Sequence, residues 1–235
     1  MESALFDSLQ RPSLYLYATE LFRALNEREI GRIYLKKVPK NSAAQAIPVL
    51  VIPGFMASAS STKGLRKLIY KMGHTPYDWQ LGRNYGDLQK VDRLEQLLQD
   101  IAQKEQQKVA IIGWSLGGIF ARELAKKYPS IVKQVITLAS PFNGVTQPNN
   151  ATWLFRLLNG GRRVEEVAKD WLPNLSAPAP IKTTCIYSKK DGIVPWQACL
   201  ERQEDDLHQN IEVMGSHIGL GFNVQVYKII QQELR

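Results

Sequence analysis

The sequence predicts a doubly wound α/β fold, a mostly parallel sheet with helices on both faces. Three observations predict it. From residue 47 onward, short apolar runs alternate with segments of helical period, an order that calls for parallel strands joined by right-handed crossovers. The clearest of these runs are continuously apolar, as strands covered on both faces are. The chain is also long enough, at 235 residues with 44% apolar and 22% charged, for one domain with a substantial core, and too short for two. That composition excludes disordered, collagen-like and disulfide-dense classes.

The elements follow in order. Residues 13–29 place Leu14, Tyr17, Ala18, Leu21, Phe22 and Leu25 at three- and four-residue steps, with Ser13 as a cap, which predicts an amphipathic helix in an N-terminal lead-in (1–40) ahead of the main domain (41–235). Docking of that stripe on the domain is its commoner fate; contact with a membrane surface is the alternative. IPVLVIPG (47–54) reads as a buried strand and SSTKGLRKLIYKMG (60–73) as a helix closed by glycine. HTPYDW is a weaker strand, followed by the loop LGRNYG. A helix over 88–107 carries Leu88, Val91, Leu94, Leu97, Leu98 and Ile101 on one face. Then come a strand (108–113), a helix (116–128), strands at 132–140, 181–188 and 210–215, and a closing helix at 222–234. Only residues 144–180 break the rhythm. A connection that long, holding Trp153, Leu154, Leu157, Leu158, Trp171 and Leu172, predicts a small helical cap over a ligand site at the carboxyl ends of the strands.

The net charge of +8 permits attraction to acidic partners, but the basic pairs are spread along the whole chain without a like-charge run, so solvated surface charge and no nucleic-acid partner are expected. Two cysteines, Cys185 and Cys199, cannot form a disulfide framework and are expected as reduced, partly buried thiols. Glu2 and Asp7 precede any basic residue and no leader-like apolar stretch follows, nor does any window reach the roughly 18 apolar residues of a membrane span. A cytoplasmic protein is expected, membrane-peripheral if the 13–29 stripe touches lipid.

The segment that carries chemistry is Gly113-Trp114-Ser115-Leu116-Gly117, set between a strand and a helix. Roughly 0.06 Gly-x-Ser-x-Gly matches are expected by chance in this composition, before that context is required. A serine hydroxyl is a poor nucleophile unless it is held out of the fold beside a base and beside donors for a developing oxyanion. A sharp strand-to-helix turn does this, and glycine at 113 and 117 removes the clash such a turn would cause. Of three histidines, His208 lies in the polar run EDDLHQN and reads as a solvated loop residue, and His74 opens a strand far upstream. His217, in Gly215-Ser216-His217-Ile218-Gly219, follows the last strand and is the candidate base. Asp191 in SKKDGIVPW directly follows a strand and is the candidate acid; it could also cap a turn. The order Ser115, Asp191, His217 is the one expected on a doubly wound sheet. Two backbone donors are expected for the oxyanion, Leu116 after the nucleophile and Phe55 in the loop Pro53-Gly54-Phe55-Met56, with Phe55, Met56 and Trp114 supplying apolar walls.

With these motifs the chain resembles an α/β-hydrolase over residues 47–235, most similar to small bacterial lipases and esterases. Leu81-Gly82-Arg83-Asn84 and Ser140-Pro141-Phe142-Asn143-Gly144 also resemble segments of that superfamily. The resemblance implies about eight strands and ester hydrolysis through an acyl-enzyme, without metal or organic cofactor. The expected substrate is a small-molecule ester or lipid. A thioesterase, acyltransferase or perhydrolase using the same three side chains, and an inactive lipid-binding protein, are the alternative readings.

Overall fold

The computed structural model describes residues 9–41, 43, 45–144, 149–150, 166 and 174–235. Strands β1 (Pro48–Ile52), β2 (Thr75–Asp78), β3 (Val109–Trp114), β4 (Val132–Leu138), β5 (Thr183–Tyr187) and β6 (His208–Glu212) form one sheet in the order β2-β1-β3-β4-β5-β6. Every neighbouring pair is parallel. The described sheet therefore has six strands, not eight. Six is the number of strands that the chain's own pattern predicts, and the larger number came from the resemblance alone.

The helices are α1 (Leu14–Lys37), α2 (Lys63–Lys71), α3 (Val91–Glu105), α4 (Leu116–Lys127) and α5 (Val224–Glu233). β1 and β3 are buried along their whole length, and alternate residues feed two cores. Val49, Val51, Ala110 and Ile112 pack with Leu65, Leu68, Val226 and Ile230, from α2 and α5. Leu50, Ile52 and Ile111 face the other way, onto Leu94, Leu98, Phe120 and Leu124 of α3 and α4. β2 pairs with β1 alone and is half-buried throughout, which is why its sequence reads weakly as a strand. Asn223 caps α5, its Oδ1 accepting from the N–H groups of Gln225 and Val226. Cys185 and Cys199 are free and buried, and burial raises the Cys185 thiol to about 12.

The N-terminal helix departs from expectation in extent and in orientation. It runs to Lys37, through Gly31, where a Cβ would stand 2.0 Å from the Phe222 carbonyl oxygen. Only glycine lets the helix lie that close to the 220–222 turn. Its buried residues are Glu20, Ala24, Gly31 and Leu35, with Glu27 half-buried between them. The apolar stripe of Leu14, Leu21, Phe22 and Leu25 points to solvent instead, with Leu14 70% and Phe22 69% exposed. Among the described residues, no helix is long and apolar enough to cross a membrane. The cap expected at 144–180 falls largely outside the described residues.

Among the described residues, one Arg–carboxylate pair is fully buried. Arg122 of α4 pairs with Glu201, donates to the Ala177 carbonyl oxygen (3.0 Å) and lies 3.7 Å over the Phe142 ring. It anchors the helix that follows Ser115. Removing one partner strands a buried charge, so Glu201→Ala is expected to lower unfolding free energy by about 3–5 kcal/mol. Replacing Arg122 and Glu201 together by Met and Leu should cost clearly less. Urea denaturation of both variants measures the difference.

Candidate active site

All the predicted side chains except that of Leu116 gather at the carboxyl end of the sheet. Ser115 sits in the turn from β3 to α4 with φ 52° and ψ −120°, a conformation that costs a non-glycine residue strain and is held by the surroundings. Its N–H donates to the Leu138 carbonyl oxygen (2.7 Å). The flanking glycines are required by close approach: a Cβ on Gly113 would lie 2.3 Å from the Gly118 Cα, and one on Gly117 would lie 2.4 Å from the Ile52 carbonyl oxygen.

His217 follows β6 by five residues and Asp191 follows β5 by four. Both are buried. The His217 Nδ1–H donates to Asp191 Oδ2 at 2.6 Å, which leaves Nε2 as the acceptor for the Ser115 hydroxyl at 3.0 Å. Asp191 does both things the sequence allows it. Its Oδ1 accepts from the N–H groups of Ile193 (2.7 Å) and Val194 (2.8 Å), closing the turn, while Oδ2 faces the imidazole. Trp114, half-way under the site, donates from its indole Nε1 to the His217 carbonyl oxygen (3.1 Å) and meets Phe222 edge to face.

The loop after β1 is fixed from outside. Met56 has φ 64°, and its N–H donates to the Asn84 carbonyl oxygen (2.6 Å). Asn84 returns its N–H to the Ala57 carbonyl oxygen and its Nδ2 to that of Pro53, both at 2.8 Å, while Arg83 donates to Met56 O (2.6 Å). The Leu81–Asn84 segment is thus a clasp on the loop that carries Phe55. Leu116 opens α4, whose first N–H groups have no acceptor inside the helix. Its side chain packs away from the site, beside Ile119 and Phe142.

The residues that sequence reasoning missed are two carboxylates of α1. Glu20 Oε2 accepts from Gly192 N (3.1 Å) and Oε1 from Ile218 N (2.8 Å), joining the Asp191 loop to the His217 loop. Arg23 completes its shell at 2.8 Å. About two turns further on, Glu27 Oε1 accepts from Ser216 N (2.8 Å) and Oε2 from Asn223 Nδ2 (3.0 Å). Asn150 adds a tie, donating to the Gly192 carbonyl oxygen (2.7 Å). Nothing in a single sequence separates these acids from ordinary solvent-facing ones. His208 is also corrected: it is buried in β6 rather than solvated, with Nδ1 on Asp205 and Nε2 on the Ala179 carbonyl oxygen, both at 2.8 Å.

A cavity of about 840 Å³ opens over Ser115 and His217. Phe55, Met56, Trp114, Ile193, Ile218 and Phe222 give it apolar walls, and Arg28, Arg32, Lys63 and Lys67 also line it, with no carboxylate among the described lining residues. Its size suits a small organic ligand.

A strained serine on a strand-to-helix turn, facing a buried imidazole at the carboxyl edge of a parallel sheet, defines an α/β-hydrolase. The palmitoyl protein thioesterase family model matches residues 48–199, well over half of the chain, and the protein belongs to that family. Solved structures agree on the fold. Aspergillus fumigatus lipase B superimposes with a TM-score of 0.62 at 18% identity, covering 81% of this chain and 54% of that one, so this chain spans about half of that lipase. A Bacillus licheniformis lipase in its mature form gives 0.59 at 15% identity over 83% and 94%, and mouse α/β hydrolase domain-containing protein 10 gives 0.54 at 16% over 83% and 89%. No curated protein sequence matches the chain. The structural likenesses show a shared fold, and the family match makes the chain an α/β-hydrolase of the palmitoyl protein thioesterase family.

Burial works against a charge on His217, but the charge and hydrogen bond of Asp191, with the further charge of Glu20, outweigh it and leave the imidazole raised above its ordinary value. Taking away the Glu20 charge disfavours the imidazolium. Glu20→Gln should therefore move the His217 titration, followed by NMR of the imidazole, to lower pH. An unmoved or raised midpoint would count against the coupling.

Proposed function

We propose that the protein hydrolyses carboxylic esters and thioesters of apolar acyl chains through a covalent acyl-enzyme, with Ser115 as nucleophile, His217 as general base and acid, and Asp191 as its orienting partner. The observation that carries this reading is the chain of hydrogen bonds from Asp191 through His217 to the Ser115 hydroxyl, ending in the mouth of an apolar cavity. The Ser115 oxygen attacks the acyl carbon as its proton passes to His217 Nε2. The N–H groups of Phe55 and Leu116 are the donors for the tetrahedral oxyanion. Asp191 holds the tautomer that leaves Nε2 free to accept, and stabilises the imidazolium. When the C–O or C–S bond breaks, His217 returns the proton to the leaving alcohol or thiol. A water then loses a proton to His217 and attacks the acyl carbon, releasing the acid and restoring the serine.

Phe55, Met56 and Trp114 serve as acyl walls in this reading, and no metal or organic cofactor enters it. The family description favours including thioesters, and the structural likeness to lipases favours oxygen esters. Hydrolysis of matched oxygen-ester and thioester substrates of rising chain length distinguishes the two. Ser115→Ala should cut turnover by a factor on the order of 10³ or more while leaving the circular dichroism spectrum intact. Undiminished hydrolysis in that variant would reject the mechanism. Asn84 acts as a positioning residue through the Phe55 loop. Asn84→Ala is expected to lower kcat roughly tenfold with little change in KM, since the loop contact matters most when charge develops on the oxygen.

A further inference from the structure

We infer that the outward ridge of α1 is a docking surface for a lipid bilayer that carries anionic headgroups, and that it sets the mouth of the cavity against that bilayer. The inference stands on the geometry of the helix and is independent of the reaction assigned to Ser115. Positions 14, 18, 21, 25, 28, 32 and 36 follow three- and four-residue steps and form one continuous line on the helix, about 100° round the axis from the line of Glu20, Ala24, Glu27, Gly31 and Leu35 that packs on the domain. The first four are Leu14, Ala18, Leu21 and Leu25; the last three are Arg28, Arg32 and Lys36. Phe22 flanks the apolar part and is as exposed as Leu14, and Leu21 is 63% exposed. Scattered single apolar residues are ordinary on a surface, but a contiguous patch beside basic residues is not.

Charge selects the occupant. Arg28, Lys36 and Lys37 on the helix, and Lys63 and Lys67 across the cavity, form no ion pair among the described residues. Glu29 lies on the same side but is taken up by Arg32 at 2.9 Å. An apolar stripe with a cationic continuation matches the boundary between acyl chains and anionic headgroups. A second copy of this chain fits poorly. It carries the same charge of +8, and pairing two ridges side by side sets either cations on cations or cations on leucines. Arg28 and Arg32 also line the cavity above Ser115, so a bilayer on the ridge lies at the cavity mouth, where a lipid acyl chain can enter without crossing water.

Co-sedimentation with large unilamellar vesicles tests this, using phosphatidylcholine alone and phosphatidylcholine mixed with phosphatidylglycerol. The full chain should partition to the mixed vesicles about tenfold more strongly than to phosphatidylcholine, and lose that preference in high salt. The combined variant Leu21→Asp, Phe22→Asp, Leu25→Asp should weaken partition about tenfold or more, and the milder Phe22→Ser, Leu25→Ser pair should fall between. The side chains are exposed, so circular dichroism and the thermal midpoint are expected to stay at wild-type values, and this control holds whether or not the protein hydrolyses esters. Absence of binding to the mixed vesicles, or equal binding by the triple variant, overturns the inference. So does a wild-type dimer in light scattering that dissociates in the triple variant without any vesicle binding, which would assign the ridge to a second copy.

Discussion

Two backbone N–H groups from different loops, Gly192 and Ile218, end on the two oxygens of one carboxylate, Glu20. The rest of the site depends on that bridge. Asp191 and His217 stand on separate strands' ends, and a hydrogen bond of 2.6 Å between them needs the two loops held in fixed relation. Neighbouring strands give the loops a common origin but do not set their tips. Glu20 sets them at one point and Glu27 at another, so the N-terminal helix works as a splint across the mouth of the sheet. Burying Glu20 carries a desolvation penalty that raises its pKa, opposed by the Ile218 N–H and by the nearby positive charge.

Most of the fold was legible because buried parallel strands leave an unmistakable signal. β1 and β3 have no polar face to disguise them, and the glycines around Ser115 mark a turn that few other structures require. The three side chains were legible for a related reason. Each follows a strand, and the glycines around Ser115, the elimination of His74 and His208, and the chain order of Ser115, Asp191 and His217 singled them out. The helix before the sheet was legible as a helix and misread in orientation. Periodicity reports that a helix has two unlike faces; it does not report which one the domain takes. The domain takes the face with Glu20 and Glu27 because unpaired loop amides await an acceptor there, and those amides belong to residues about 170 to 200 positions later in the chain. His208 was misread by the same mechanism. Its neighbours Glu204, Asp205 and Asp206 look like solvated loop, yet the ring turns inward to the Ala179 carbonyl oxygen.

The site also shows how a scaffold distributes strain. Ser115 and Met56 both hold positive φ, one on each side of the position expected for the oxyanion. Each is compensated by specific backbone partners: Leu138 for the first, Asn84 and Ala57 for the loop of the second. The apolar core beneath, from Val51, Ile52, Ile112 and Trp114, supplies the stability against which that strain is set. Trp114 belongs to both systems, since its ring fills the core while its indole nitrogen secures the His217 carbonyl.

The docked side of α1 buries the hydrocarbon of Ala24, Leu35 and part of Tyr34, and the carboxylates of Glu20 and Glu27 add polar ties to it. Such an attachment opens at lower free energy than the six-stranded sheet does. Thermal inactivation should consequently run ahead of the loss of sheet structure, with a heated but still folded molecule in which the Asp191 and His217 loops have drifted apart. Resistance of the site to heat is then a property of one helix more than of the core.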